Sequence, residues 1–393
     1  MRIAFVLIGN SRRSNYLNGD TLRYGGGGGS GTDTSTILVA EYLASQGHDV
    51  VIATDRLEPA LEQKYAYEGK FFPKGDKIRG VQYTDIEFNY IENKEFDILV
   101  NSLWFQDYKS LPIKITKAIV YWCHMQWIYG IGETIEYCKT NNLNLGFVNI
   151  SNWESQMNDG TIKHASAIYN KTYRTLIPNP IADDIITQVL NENIEKKPHK
   201  FIFHASWPRG GNVALEAVRR LDFQDKEFHA FDYLMVIHDH KDMFFHMHNG
   251  VDKYTLFKHL AESEYFVYPL YTPYQDVHKD TFSCVVAEAL ALGVIPITYP
   301  LGALPDIFGE YCAWIDFPKD KNAETMQKES LSKDLEGSFR DNIDNIVNKI
   351  LFLESNPDIK NSLRLKSKDF VMDSFSVNKV GQMWSNFFFE LSN

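Results

Sequence analysis

Cysteine is scarce: Cys123, Cys138, Cys284 and Cys312 are the only four in a chain of 393 residues. No two are close in sequence and none has zinc-type spacing, so the reading is free thiols in a reducing compartment, without a disulfide framework. Long apolar runs are missing too; nothing approaches the roughly 20 residues of a membrane helix. The opening MRIAFVLIGN is apolar too briefly for a signal peptide and reads as a first strand. Positive charge is in deficit, with 40 Lys and Arg against 51 Asp and Glu. A net charge of −11 and no basic tract exclude nucleic acid as an expected partner. These absences predict a soluble, cytoplasmic chain. Residues 1–178 are the near-neutral part, with 18 Lys and Arg against 19 Asp and Glu, and any membrane contact is peripheral and falls there.

Apolar residues are plentiful, 44% of the chain with 14% aromatic, enough for two or three domains with cores of their own. Short β-rich runs alternate with helical patterns, the arrangement of parallel α/β units. The expected strands of the first half are Ile3–Ile8, Val50–Ala53, Asp97–Asn101, Ala118–Cys123, Gly146–Ile150 and Arg174–Ile177. Helical periodicity is clearest over Thr34–Gln46, stopped by Gly47. Ile177-Pro178-Asn179-Pro180 breaks the pattern and predicts a domain boundary. Beyond it, strands are expected at Phe201–Ala205, Tyr233–His238, Tyr265–Pro269, Val294–Thr298 and Ala313–Ile315. Helices are expected at Asn212–Leu221, Tyr254–Ala261, Ser283–Leu292, Asp341–Glu354 and Val377–Leu391. The fold class is therefore α/β: two facing Rossmann-like domains, with a ligand cleft at the carboxyl ends of their strands. The domains are expected at 1–178, with 372–393 packing back on it, and at 179–371.

The glycine run of Gly25–Gly29, with Ser30 and Gly31, precedes a good helix, where backbone amides can approach an anion. About sixteen residues separate it from Ile8, so it is not a dinucleotide fingerprint despite Asp55. Gly28, Gly29, Ser30 and Gly31 are read as an acceptor or diphosphate loop, with a plain surface loop as the alternative. Glu288 lies within the apolar helix Cys284–Leu292, where a carboxylate is costly unless donors meet it. Ribose hydroxyls, a buried Arg or backbone amides would each serve. Asp280 precedes that helix, for which Ser283 is the expected N-cap, so that amides around Phe282–Cys284 would face a phosphate.

The segment Asp280-Thr-Phe-Ser-Cys-Val-Val-Ala-Glu288 resembles the acidic-x7-Glu segment of the retaining glycosyltransferases of family four, which have the GT-B fold. Ile177-Pro178-Asn179-Pro180-Ile181 resembles their interdomain turn, and Gly302-Ala-Leu-Pro305-Asp306 their loop after the following strand. Phe375-Ser376 and Trp384 resemble the terminal helix that crosses back to the first domain. The resemblance implies sugar transfer from a nucleoside-diphosphate sugar to a glycan, lipid-linked, protein-linked or other hydroxyl acceptor, with retention and with neither metal nor cofactor. It implies that Glu288 binds the donor ribose and that Asp280, where the family usually has Glu, touches the transferred sugar. Thr281, Phe282, Ser283 and Cys284 would present amides to sugar and phosphate. Arg209, in Ser206-Trp-Pro-Arg-Gly210-Gly, would hold the diphosphate, where the family commonly has a Lys as well. Gly210, Lys279 and Val251 are assigned to the same donor site, Lys279 as the candidate second cation. His124 resembles the first-domain His that contacts the transferred sugar.

Two other functions remain open on the residues alone, a GT-B-like sugar-nucleotide epimerase and a non-catalytic sugar-nucleotide or glycan-binding protein. Trp104, Trp122, Trp127 and Trp153 could stack on an acceptor sugar or fill the core. His238-Asp-His240 and His246-Met-His248 put pairs of imidazoles on one strand face but bring no third ligand at fixed spacing, so no metal is expected.

Overall fold

A computed structural model describes residues 1–7, 18–25, 29–54, 77–102, 109–125, 128, 130–232, 242–270, 279–317 and 335–392. The chain divides into two compact units, Met1–Ala182 with Phe375–Asn393, and Asp183–Ser374.

The first unit is built on β1 (Arg2–Leu7), β2 (Asp49–Thr54), β3 (Lys77–Ile78), β4 (Val81–Asp85), β5 (Glu95–Asn101), β6 (Lys114–Cys123), β7 (Asn144–Asn149) and β8 (Thr172–Leu176). Its helices are α1 (Gly19–Tyr24), α2 (Gly31–Ser45), α3 (Ile131–Asn141) and α4 (Asn152–Ile168). The strand order is β3-β4-β2-β1-β5-β6-β7-β8, parallel except for the β3–β4 pair. Continuous apolar runs such as Ile3–Leu7 are buried, as strands covered on both faces require. Helix α2 is buried over most of its length because the last helix of the chain also covers it. That helix, α12 (Val377–Ser392), belongs to the first unit. Gly381 lets it lie directly on Tyr42, since an added Cβ would come within 2.2 Å of that ring. Its Trp384 is fully buried, with ring centroids 6.4 Å from Phe5 and 4.6 Å from Trp122.

The second unit contains α5 (Asp183–Leu190), β9 (Lys200–His204), α6 (Gly211–Arg220), β10 (Glu227–Asp232), β11 (Phe245–Asn249), α7 (Lys253–Glu262) and β12 (Tyr265–Tyr268). It continues through α8 (Cys284–Ala291), β13 (Ile295–Thr298), α9 (Leu304–Phe308), β14 (Ala313–Trp314), α10 (Leu335–Ser355) and α11 (Pro357–Phe375). Its sheet has the order β11-β10-β9-β12-β13-β14 and is parallel among the described residues. Both units therefore have Rossmann-like sheets whose strand order reverses beside their first strand, at β1/β5 and at β9/β12. Ligands of such sheets bind at the carboxyl ends of the strands at that reversal.

The strand expected at Tyr233–His238 lies outside the described residues; β10 occupies the stretch just before it. Helices α1, α3, α4, α5, α9 and α11 and strands β3, β4, β10 and β11 have no counterpart among the expected elements. All four cysteines are buried and free. Among the described residues no helix is long and apolar enough to cross a membrane.

Candidate nucleotide-sugar site

At the β9/β12 reversal the chain leaves β9 through Ala205 and Ser206 into a 3-10 turn, Trp207–Arg209. Two glycines make that turn possible for different reasons. Gly210 has φ 114°, a conformation side chains rarely adopt, and it ends the turn and opens α6. Gly211 lies under Trp207, where an added Cβ would come within 2.4 Å of the indole. Trp207 is 3% exposed and donates from Nε1 to Asn212 Oδ1 at 3.0 Å, which fixes the turn and presents Arg209 at its end.

Arg209 meets two groups there. Its Nη1 donates to the hydroxyl of Tyr268, the last residue of β12, at 3.0 Å, and it forms an ion pair with Asp280. Tyr268 in turn donates to Asp280 Oδ2 at 2.9 Å. Burial, opposed by Arg209 and reinforced by Asp280, pushes the Tyr268 phenol well above its ordinary range. It therefore stays a neutral donor that orients the carboxylate. Asp280 is buried, and the loop after β13 holds its backbone: Ala303 N donates to Asp280 O at 2.8 Å. Gly302, at φ 60°, sits so close that an added Cβ would lie 2.4 Å from the same oxygen. Asp280 and Arg209, expected to contact different parts of a donor, are thus paired with each other.

Phe282 is buried against Phe308, 6.2 Å between ring centroids, which leaves its main chain to shape the entry into α8. Ser283 stands at the N-cap position but does not cap: its φ of 73° turns the hydroxyl away and Oγ makes no cap hydrogen bond. Cys284 is buried as the first helical residue, Thr281 and Lys279 are half-buried, and Val251 is half-buried between β11 and α7. The N-terminus of α8, at Cys284, is the positive end of that helix.

Glu288 is 1% exposed, and its partner is a residue the sequence reading missed. Lys253, the first residue of α7, places Nζ 2.5 Å from Glu288 Oε1 and is itself mostly buried. The ammonium also lies over the ring of Phe257, 5.2 Å from its centroid. Beside them His204, the last residue of β9, lies 3.3 Å from the Val285 carbonyl through Nε2. Burial, and then the charge of Lys253, lower its pKa to about 3, so it is a neutral imidazole.

In the first unit, His124 follows β6 and packs on Trp122, 4.7 Å between ring centroids; burial lowers its pKa to about 3. Trp122 is a core residue, 2% exposed against Trp384, and has no face for a sugar. Trp153 is half-buried, and Trp104 and Trp127 lie outside the described residues. Gly28 lies outside them as well, and Gly29 leads into α2. Ser30 caps α2: its Oγ accepts from Asp33 N at 3.2 Å, and its own N–H donates to Asp33 Oδ2 at 2.8 Å. Gly31 is the first residue of that helix, so Ser30 and Gly31 serve the helix start. A second missed residue is Glu154 in the first turn of α4, fully buried and raised to about 9 by burial, against the Ile150 N–H and Arg174 that favour its charged form. Ser151-x-x-Glu154 was the available signal, a helix-start pattern.

His238 and His240 lie outside the described residues, but His248 gains the imidazole neighbours that sequence spacing did not supply, His229 from β10 and His259 from α7.

No protein-family model matches the chain, and no curated protein sequence does. Solved structures match its fold over nearly the whole length. Sucrose-phosphate synthase from Thermosynechococcus elongatus superposes with a TM-score of 0.64 at 10% identity, covering 99% of this chain and 98% of that one. A glycosyltransferase from Rickettsia africae gives 0.57 at 12% identity over 99% and 98%. Anabaena HepE in complex with UDP-glucose gives 0.58 at 10% identity over 99% and 100%. The chain has the GT-B fold, the two-domain α/β fold it shares with these solved structures.

Proposed function

We propose that the protein is a retaining glycosyltransferase that takes a sugar from a nucleoside-diphosphate donor held on its second unit and passes it to a hydroxyl acceptor held on its first. The observation that carries this reading is the grouping of Arg209, Tyr268 and Asp280 at the β9/β12 reversal, beside the positive end of the helix that bears Glu288. Each part has a use in that chemistry. The diphosphate draws the Arg209 guanidinium away from Asp280, so donor binding frees the carboxylate for the hydroxyls of the transferred sugar. Tyr268 then holds Asp280 in place. Glu288 gives Oε1 to Lys253 and offers Oε2 to a ribose hydroxyl.

The bond from the anomeric carbon to the diphosphate oxygen breaks, and the electron pair leaves with the diphosphate. The acceptor oxygen bonds to the same face of the oxocarbenium-like sugar, and its proton passes to the departing phosphate oxygen. Arg209 and the first amides of α8 stabilise the charge that grows on the leaving group. The cation at the diphosphate is thus a side chain, and the reaction needs no divalent ion there.

A thermal-shift series with UDP, GDP, ADP and their sugars tests donor binding, because a ligand that binds only the native state raises its stability. One nucleotide series should raise Tm in the wild type, and by less in Arg209→Ala. A flat response to every nucleotide would overturn the proposal.

A further inference from the structure

A second cluster lies at the edge of the second unit's sheet. Strands β10 and β11 pair in parallel with His229 opposite His246 and Phe231 opposite His248. Alternate residues of a strand share a face, so these four side chains project on one side. Helix α7 brings His259 onto that side. Ring centroids are 5.2 Å apart for His229 and His248, 5.2 Å for His229 and His259, and 4.7 Å for His248 and His259. One ring nitrogen from each of the three lies within 4.8 Å of the other two.

We propose that His229, His248 and His259 bind a divalent transition-metal ion of the zinc class, which fastens α7 to β10 and β11. The hydrogen-bond geometry favours an ion. Glu227 Oε2 lies 3.1 Å from His229 Nε2, accepts its proton and leaves a lone pair on Nδ1. That Nδ1 shares a hydrogen bond with His248 Nε2, 3.0 Å away, and an ion bound between the two rings would displace the shared proton. Two nitrogens on a tetrahedral zinc stand about 3.3 Å apart, given bonds of about 2.0–2.1 Å. The pair stands slightly inside that spacing, and the nitrogens of all three rings, within 4.8 Å of one another, have to adjust little to share an ion. A carboxylate behind a ligating imidazole orients the ring and raises its basicity, which is the place Glu227 occupies.

The donor set selects the ion. Three imidazoles, with no converging carboxylate among the described residues, suit zinc, cobalt, nickel or copper and do not suit magnesium or calcium. Lys200 opposes a cation, since its Nζ is 3.4 Å from His259 Nδ1, but Glu262 holds that ammonium at 2.5 Å and balances it. His229 is 8% exposed, His248 and His259 are half-buried, and His246 is exposed, its ring 4.6 Å from that of His229. An ion therefore enters past His246 and finds its fourth position open to water or to that side chain.

Titration of the chelator-treated full chain with Co2+ tests this without reference to activity. The expected result is intense visible d–d absorption saturating at one ion per chain and abolished by competing Zn2+. His248→Ala and His259→Ala should lose the bands while keeping their far-UV circular dichroism, and His246→Ala should keep them. Glu227→Gln, at a residue whose side chain is 39% exposed, should weaken binding by about 10-fold or more. If the histidine variants fail to fold, the wild-type titration and Glu227→Gln still decide. Folded wild type without d–d bands, or bands that survive His248→Ala or His259→Ala, would overturn the proposal.

Discussion

Glu288 and Lys253 give the sharpest opportunity for perturbation, because one carboxylate has two expected roles with separate readouts. The pair is buried, with side-chain exposures of 2% and 12%, so solvent screening is slight. Glu288→Gln keeps the shape and removes the charge, leaving the ammonium of Lys253 inside the unit without its counter-ion. Breaking a buried pair by removing one partner costs about 3–5 kcal/mol. For a unit of this length each kcal/mol lowers Tm by about 2–4 °C, so the expected loss is roughly 6–20 °C. Glu288→Gln combined with Lys253→Met should recover much of it, since neutral packing replaces the pair. The ligand readout is independent of this. A hydrogen bond to a charged acceptor is worth about 1.5–3 kcal/mol, so the wild type should prefer a nucleoside diphosphate over its 2′,3′-dideoxy analogue by roughly 10- to 150-fold. Glu288→Gln should lose most of that preference. Denaturant unfolding and calorimetric titration of the three proteins read both effects. A Glu288→Gln loss below about 1 kcal/mol would mean that the pair behaves as an exposed one. An unchanged ribose preference would remove Glu288 from the donor site.

Three further outcomes follow from the same physics. Glu154 is raised to about 9 from 4.5, so the fold keeps a proton that the unfolded chain releases; stability is full below pH 4.5 and falls by about 1.4 kcal/mol per pH unit up to about 9. Glu154→Gln should therefore raise Tm more at pH 8 than at pH 5, and equal gains would contradict its burial as a neutral acid. His124 and His204 are lowered from 6.5 to about 3, so stability is full above pH 6.5 and falls by about 1.4 kcal/mol per unit for each imidazole as the pH drops toward 3. His204→Gln should flatten the Tm profile between pH 6.5 and 5, and an unchanged slope would count against it. Turnover by chelator-treated protein should not respond to added Mg2+ or Mn2+, whereas restored activity would displace Arg209 as the cation at the diphosphate.

The strands were legible where burial on both faces leaves a continuous apolar run, as at Ile3–Leu7 and Val50–Ala53. Strand β10 was not anticipated because the reading placed its strand in the apolar stretch that follows Asp232, which lies outside the described residues. Helix α4 was hidden by its polarity, since Asn152–Ile168 buries few of its residues and its pattern is diluted by Asn, Asp, Gly and Lys. At the donor site, Asp280, Glu288 and Arg209 were visible as charges in apolar or glycine-rich settings. Their partners were not: Tyr268 reads as an ordinary strand aromatic, and Lys253 is joined to Glu288 only by the packing of α7. Ser30 and Ser283 show a limit of cap reasoning, because identical chemistry before a helix gives a cap only where the backbone is extended, as at Ser30 with φ −67° and ψ 167°. His229 and His259 come from different elements than His248, so spacing along one strand could not assemble the three.

Acceptor-dependent release of nucleoside diphosphate, with the anomeric configuration of the product read by NMR, tests the central claim most directly. Wild-type protein supplied with its preferred α-linked donor and a hydroxyl acceptor should release nucleoside diphosphate only when acceptor is present and give an α-linked product. Arg209→Ala should lower kcat by about 100- to 1,000-fold, because its interaction strengthens as the leaving group gains charge. Arg209→Lys should recover little of that loss, since a point charge does not reproduce the planar fork. A β-linked product, an epimerised nucleotide sugar with no diphosphate released, or an Arg209→Ala variant with raised KM and near-normal kcat would contradict the account.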